Sequence, residues 1–370
     1  MKIAILGTRG IPNNYGGFEQ FAEFLSTGLV EKGHEVTVYN SSAHPYKKKI
    51  FRGVKIKRIY DPEKNIGTVG QFVYDFFSIL NTRSEHFDII LQLGYTSSSL
   101  FYKLHPKESI VVTNMDGLEH KRSKYSPNVQ KFLRLAESLA VGQSNLLISD
   151  SLGIKEYLKK KYDVSSKYIP YGATLFENAK KDVLEKYSVF EHSYFLLIAR
   201  LEPENSIEVI LDGFILSGSG DTFLVVGSAN TKFAKYLQKK FLDFQNIKFV
   251  GAIYDLEVLN NLRYFCKAYF HGHTVGGTNP SLLEAMASNA IICAHNNEFN
   301  RAVLEKDAFY FFTSTEVSDF ICSNVFGDSL PFIQNNRDKI LKYYTWSKII
   351  SSYEETFKEL LNLKQQYFKV

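Results

Sequence analysis

Residues 2–39 read KIAILGTRGIPNNYGGFEQFAEFLSTGLVEKGHEVTVY. Lys2-Ile3-Ala4-Ile5-Leu6 is a short apolar run of the buried-strand kind, and Gly7-Thr8-Arg9-Gly10-Ile11-Pro12 after it is rich in turn formers. Phe18, Phe21, Leu25 and Leu29 recur at spacings of three and four, which predicts a helix that stops at Gly33. Val36-Thr37-Val38-Tyr39 predicts the next strand. Strand, helix, strand is the unit from which parallel sheets are built, because parallel neighbours need a long crossover.

The alternation continues outward through Ile89-Ile90-Leu91, Ile110-Val111-Val112, a helical stretch around Gln130–Val141, and Leu146-Leu147-Ile148. After Tyr168-Ile169-Pro170-Tyr171-Gly172-Ala173, whose Pro and Gly suit a linker, a second series begins. Its predicted strands are Phe195–Ile198, Thr222–Val226, Ile247–Val250, Ala268–Phe270 and Ile291–Ala294. The expected fold is α/β, with two Rossmann-like, doubly wound parallel-sheet domains at residues 1–170 and 171–345, facing a central cleft. Residues 344–362 have the spacing of an amphipathic helix. The length of 370 residues fits two domains, since single domains mostly run to ~100–200 residues.

At 45% apolar and 22% charged residues, the chain is neither disordered nor collagen-like. No apolar run approaches the ~20 residues of a membrane span, and Met1 leads straight into a strand, so neither a transmembrane segment nor a standard export signal is expected. Cys266, Cys293 and Cys322 are odd in number and widely spaced, which fits a reducing cytosol better than a disulfide or zinc scaffold. The net charge of +5 hides an asymmetry: residues 1–170 hold 24 Lys+Arg against 16 Asp+Glu, and the remainder 20 against 23. Residues 46–58 and 121–125 interleave Lys and Arg with Tyr, Phe and Ile, which suits an anionic bilayer surface or, equally, a solvated face. Nucleic acid is not expected, because no recognition motif accompanies the charge.

Three stretches carry chemistry. Gly16-Gly17 before the first helix would let backbone approach an anion, although the same glycines also serve a purely conformational turn. Neither GxGxxG nor GxxxxGK[ST] occurs, which disfavours dinucleotide oxidoreductases and P-loop ATPases. In residues 271–287, HGHTVGGTNPSLLEAMA, Thr278 or Asn279 is a helix N-cap and Pro280 the first helical position. The amides of Ser281, Leu282 and Leu283 are then expected to be unpaired and aimed at an anion, with Glu284 one turn on and near enough to accept from attached hydroxyls. A diphosphate with a ribose fits both; the plainer reading is a capped structural helix with a solvated Glu284. Finally, Arg200 ends the first predicted strand of the second domain and can pair with phosphate oxygens. Asp116 follows the strand Ile110–Val112 and could accept a proton or orient a hydroxyl, or simply form an Asp-Gly turn.

These segments, together with NMDGLEHKR, ISDSLGIKEYL, YIPYGA and LLIARLEPENSIEVILDGF, resemble the retaining glycosyltransferases of family 4 with the GT-B fold. Over its first half the chain resembles, within that family, the subgroup that includes bacterial β-1,4-rhamnosyltransferases of capsule and cell-wall polysaccharide assembly. The resemblance implies transfer of L-rhamnose from dTDP-rhamnose, or of a hexose from a UDP-sugar, with retention, onto a lipid-linked saccharide by a cytoplasmic enzyme peripheral to the inner face of the plasma membrane. It implies that Arg200 binds the diphosphate and the amides of Ser281 and Leu282 cradle it. Glu284 would hold the ribose, and Gly16, Gly17, His273, Gly277, Thr278 and Asn279 would line the donor. Asp116 would lie near the reacting sugar and acceptor, and residues 346–370 would form a helix crossing back onto the first domain. Two positions depart from the family: Gly276 stands where its first Glu is usual, and Asn205 where its Lys is, with His273 and Arg9 as candidate substitutes. No cofactor or obligatory metal is expected, since Asp-x-Asp is absent. The alternatives are a non-catalytic nucleotide-sugar binder and a GT-B-type epimerase.

Overall fold

The computed structural model describes residues 1–115, 117–122 and 125–367. Asp116, the proposed acceptor-side carboxylate, lies outside the described residues. The chain forms two compact units: residues 1–121, 125–171 and 346–370 make the first, and residues 172–345 with the short segment containing Arg122 make the second.

In the first unit the strands are β1 (Lys2–Leu6), β2 (Glu35–Ser41), β3 (Ile50–Phe51), β4 (Val54–Ile59), β5 (Ile89–Leu93), β6 (Ile110–Asn114), β7 (Leu146–Ser149) and β8 (Lys167–Tyr168). They lie in the order β3-β4-β2-β1-β5-β6-β7-β8. All pairings are parallel except β3 with β4, a hairpin at the sheet edge. That hairpin occupies the basic segment 46–58: Val54, Ile56 and Ile59 are buried while Lys55 and Arg58 are exposed, so the cations alternate with core residues along β4, the strand next to the edge. Its helices are α1 (Gly17–Glu31), α2 (Glu63–Ile66), α3 (Val69–Thr82), α4 (Pro127–Gln143) and α5 (Leu152–Tyr162).

The second unit holds β9 (Tyr194–Ile198), β10 (Thr222–Val226), β11 (Ile247–Gly251), β12 (Ala268–His271), β13 (Ile292–His295) and β14 (Phe309–Phe311), all parallel, in the order β11-β10-β9-β12-β13-β14. They alternate with α6 (Ile207–Leu216), α7 (Lys232–Lys240), α8 (Leu256–Phe265), α9 (Pro280–Ala287), α10 (Glu298–Leu304), α11 (Ser314–Cys322) and α12 (Leu330–Lys339). The core is a phenylalanine cluster in which Phe195 contacts Phe214, Phe223, Phe270 and Phe326, ring centroids 5.8–6.1 Å apart. Such pairs add about 0.5–1.5 kcal/mol each beyond area burial.

The last helix, α13 (Trp346–Tyr367), packs on α1 of the first unit. Gly28 explains how the two helices come so close: a Cβ there would stand 2.3 Å from Ile350 Cδ1. Trp346 stacks on Phe24 with centroids 4.6 Å apart, and Glu354 binds Lys32 and His34 at 3.0 and 2.9 Å. Among the described residues no helix is long and apolar enough to cross a membrane.

Candidate functional site

Strand order reverses between β9 and β12, because β10 lies on one side of β9 and β12 on the other. Loops leaving the carboxyl ends of two such strands diverge and leave room for a ligand. Arg200 stands just beyond β9. Its guanidinium is exposed and has no ion-pair partner among the described residues. The turn that carries it is held by Asn205, whose buried Nδ2 donates to the Arg200 carbonyl at 2.7 Å. Asn205 therefore shapes the turn, and its amide nitrogen is committed to backbone. Glu204 beside it is buried; one carboxylate oxygen lies 3.4 Å from Arg122 Nη1, and the other has no partner among the described residues.

Beyond β12 the chain is fixed to that same turn, since the backbone N–H and hydroxyl of Thr274 both donate to the Glu204 carbonyl, at 3.0 and 2.8 Å. Asn297 and Asn300 donate to the His273 carbonyl at 2.9 and 3.1 Å. His271 and His273 stack with ring centroids 4.4 Å apart. Burial lowers the pKa of both, that of His271 to about 3, so they are neutral at physiological pH.

The expectation that the Ser281, Leu282 and Leu283 amides stand unpaired is overturned. Asn279 caps α9 completely: its Oδ1 accepts from Ser281 N at 2.9 Å, and its carbonyl accepts from Leu282 N and Leu283 N at 3.0 and 3.2 Å. The helix start satisfies itself because a good N-cap takes up the first orphan donors. The donors left over sit one step earlier. Among the described residues nothing hydrogen-bonds the backbone N–H groups of Gly276, Gly277 and Asn279. Thr278, next to them, is buried.

Glu284 is neither solvated nor merely helical. Its Oε2 is 2.5 Å from Nη2 of Arg263, a residue only 1% exposed. Arg263 also donates to Ser281 Oγ at 3.0 Å and Asn260 Oδ1 at 2.8 Å, and Ser281 Oγ lies 2.9 Å from the Tyr269 hydroxyl. The Tyr269 hydroxyl reaches His271 Nδ1 at 3.4 Å. A buried network thus runs beneath the α9 N-terminus from Glu284 to the stacked histidines. Sequence reading missed Arg263; the available signal is an arginine in the last turn of α8, among buried Leu262 and Phe265.

In the first unit, strand order reverses between β1 and β5, and the Gly7–Gly17 loop leaves β1 there. Gly7 has φ +83° and a Cβ on it would stand 2.1 Å from the Leu93 carbonyl oxygen. Gly16 is extended at φ −174°, and an added Cβ would meet only Glu19 Oε2 at 3.5 Å, so local geometry does not demand glycine there. Gly17 is the first residue of α1. Glu19 is buried and accepts from Thr8 Oγ1 at 3.1 Å and Arg9 N at 2.8 Å. Arg9 makes a bidentate pair with Glu63 and lies over the Tyr15 ring, 4.0 Å from its centroid. Next to the position of Asp116, Asn114 Nδ2 reaches the Tyr353 hydroxyl at 3.3 Å. Glu137, on the buried stripe of α4 with Leu133, Ala136 and Ala140, gathers Tyr157, Lys161 and Tyr162 within 2.8 Å and His120 at 3.2 Å. An acid on that apolar stripe was the signal for a buried hub. Among the described residues no group of three or more His, Cys, Asp or Glu side chains is arranged to hold a metal ion.

The profile of a family described as a domain of unknown function, DUF1972, matches residues 1–174. No curated protein matches the sequence. Solved structures match along nearly the whole chain. Sucrose-phosphate synthase from Thermosynechococcus elongatus aligns with a TM-score of 0.79 at 14% identity, covering 98% of this chain and 99% of that one. HepE of Anabaena, solved with UDP and glucose, aligns at 0.76 and 18% identity over 97% and 100%. TarM of S. aureus, solved with UDP among its ligands, aligns at 0.72 and 10% identity over 96% and 99%. The likeness establishes the fold as GT-B, built of two Rossmann-like sheets.

Proposed function

We propose that the protein is a glycosyltransferase that takes its donor as a nucleoside diphosphate sugar. The observation that carries this reading is the juxtaposition, at the strand-order reversal of the second unit, of the Arg200 guanidinium with the backbone N–H groups of Gly276, Gly277 and Asn279, none of which has a partner among the described residues. Pyrophosphate is the ligand chemistry that calls for a planar cation and bare amides together. The GT-B fold supports the reading, as does the UDP found with HepE. Glu284, fixed by Arg263, would accept from the donor's hydroxyls, and Arg200 with the amides would stabilise charge on the departing diphosphate.

The finer reading follows the sequence resemblance. The sugar is L-rhamnose or a hexose, transferred with retention, and the acceptor is a lipid-linked saccharide of surface-polysaccharide assembly. The enzyme works at the inner face of the plasma membrane. The test is a thermal-shift panel of dTDP-, UDP- and GDP-sugars, followed by sugar transfer to a polyprenyl-diphosphate-linked saccharide. One donor should raise Tm and be consumed only when acceptor is present. Stabilisation without turnover would make the protein a binder, to which Gly276 and Asn205 would then be the clue. Sugar release without acceptor would make it an epimerase or hydrolase. An absence of any nucleotide effect would end the reading.

A further inference from the structure

His273 stands in the loop that leaves the carboxyl end of β12, and contacts on three sides fix it. Its ring stacks on His271 with planes 15° apart. Its carbonyl accepts from Asn297 and Asn300, and the next residue, Thr274, donates twice to the Glu204 carbonyl. His271 beneath it is tied through the Tyr269 hydroxyl to Ser281 and Arg263. The ring is thus held in place by stacking and backbone alone, since among the described residues neither of its nitrogens has a hydrogen-bond partner. Nδ1 is closed to solvent, so Nε2 is the atom a ligand would meet.

The charges around the ring decide its state. Burial disfavours the imidazolium most, and His271, Arg200 and Arg122 each oppose a proton on it as well. The nearby carboxylates are turned to other cations: Glu204 lies 3.4 Å from Arg122, and Glu284 lies 2.5 Å from Arg263. His295, on the neighbouring strand β13, packs against Phe311 and Phe312 and is itself disfavoured as a cation by burial. Without ligand, then, a neutral His273 stands beside two guanidinium groups. An anion reverses the balance. One unit charge about 5 Å from an imidazole, at the effective dielectric of a protein surface, favours its protonation on the order of a hundred-fold. A diphosphate diester brings two such charges, and oxygens to accept from Nε2–H.

We propose that His273 takes up a proton when the nucleotide sugar binds and serves, with Arg200, as a second cation on its diphosphate. The inference rests on the donor reading above and adds where the second charge comes from. A lysine here would set a third permanent cation beside Arg200 and Arg122, whereas an imidazole is charged only while the anion is present. The complex then holds one proton more than its separate partners, so affinity rises as pH falls and the gain is lost as pH rises. A nucleotide sugar carries its diphosphate as a diester with no proton to exchange near neutrality, so the uptake is the protein's.

Calorimetric titration of the full chain with UDP-glucose, dTDP-rhamnose and GDP-mannose, at pH 6.5 in buffers of different ionisation enthalpy, counts the protons. The nucleotide sugar that binds should bring uptake of about 0.5–1 proton, and its Kd should tighten about ten-fold from pH 8 to pH 6. His273→Gln should match the wild type in Kd at pH 8, take up almost no proton and lose most of the tightening at pH 6. His273→Asn repeats the test should the glutamine variant fail to fold. Three results would overturn this inference and leave the donor reading standing. These are binding by the wild type without uptake, uptake that survives His273→Gln and so belongs to Glu204 or another group, and a His273→Gln variant weakened alike at both pH values, as a merely structural role requires. Binding of none of the three nucleotide sugars would overturn both.

Discussion

Each unit of this chain reverses its strand order once, and at each reversal an arginine and a glycine-bearing loop stand at the carboxyl edge of the sheet. The two are finished differently. In the first unit Glu19, in the first turn of α1, fills the position an anion would take and accepts from Thr8 and the Arg9 amide, while Glu63 neutralises the Arg9 guanidinium. In the second unit the first turn of α9 holds no acid, the Arg200 guanidinium has no ion-pair partner among the described residues, and Glu284 is tied below by Arg263. The lesson is that a shared fold supplies two anion-ready edges, and local carboxylates decide which of them remains available. Arg9 is accordingly a poor substitute for the missing Lys at position 205.

The comparison breaks first if Arg263 is dispensable. Removing it strands Glu284 in a buried site, so Arg263→Met should cost about 3–5 kcal/mol in urea unfolding. Adding Glu284→Gln should restore most of that. A single variant as stable as wild type would show that the network does not hold α9.

Next in size is a pair of glycines. Gly7→Ala should destabilise by about 2–3 kcal/mol, because its positive φ and the Leu93 carbonyl both oppose a side chain. Gly16→Ala should stay within about 0.5 kcal/mol. If Gly16→Ala nonetheless abolishes sugar transfer while Tm holds, the first unit's loop approaches a ligand despite its internal pairing.

The cations are compared directly by calorimetric titration with the donor found in the panel. Arg200→Ala should weaken binding about ten- to hundred-fold, the worth of a hydrogen bond to charge, and leave the unliganded Tm unchanged. Arg9→Ala should leave binding intact and cost under about 1 kcal/mol of stability, as expected for a partly exposed ion pair. Reversed results would move the anion site to the first unit.

Much of this was legible in the sequence. Period-two and buried-run strands, the α1 stripe and both strand-end turns follow from residue spacing, and the parallel sheets follow from the alternation. The β3–β4 hairpin was hidden because Lys55, Lys57 and Arg58 read as a charge cluster, although VKIKRI alternates as a half-buried strand does. Helix α3 was hidden because its outer stripe is as apolar as its inner one, which blurs the helical period. In the site, the residue types were right but their partners were not. Asn279 announces a cap, and the consequence that a cap consumes the amides at 281–283 follows only from its geometry. Arg263 and Glu284 are 21 positions apart, a separation no local pattern spans.

The smallest effect concerns pH, where the units again differ. His271 in the second unit is held by burial at a pKa of about 3, against 6.5 ordinarily, so between these values the unfolded chain binds the extra proton. Its contribution to stability is complete above 6.5 and is lost as pH falls. Asp75 in the first unit is raised by burial to about 7 from 3.8, so there the folded chain holds the extra proton, and its contribution is complete at low pH and lost as pH rises through 7. One group changes the slope by at most about 1.4 kcal/mol per pH unit. Asp75→Asn should therefore flatten the decline in Tm between pH 4 and 7, and His271→Gln should soften the acid limb below 6.5 without abolishing it, because His105 and His273 are also held neutral by burial. Calorimetric melts of both variants across that range check the signs. A steeper acid limb in His271→Gln would mean that the imidazole is charged in the folded protein, and that the stacked pair belongs to the cationic face of the site.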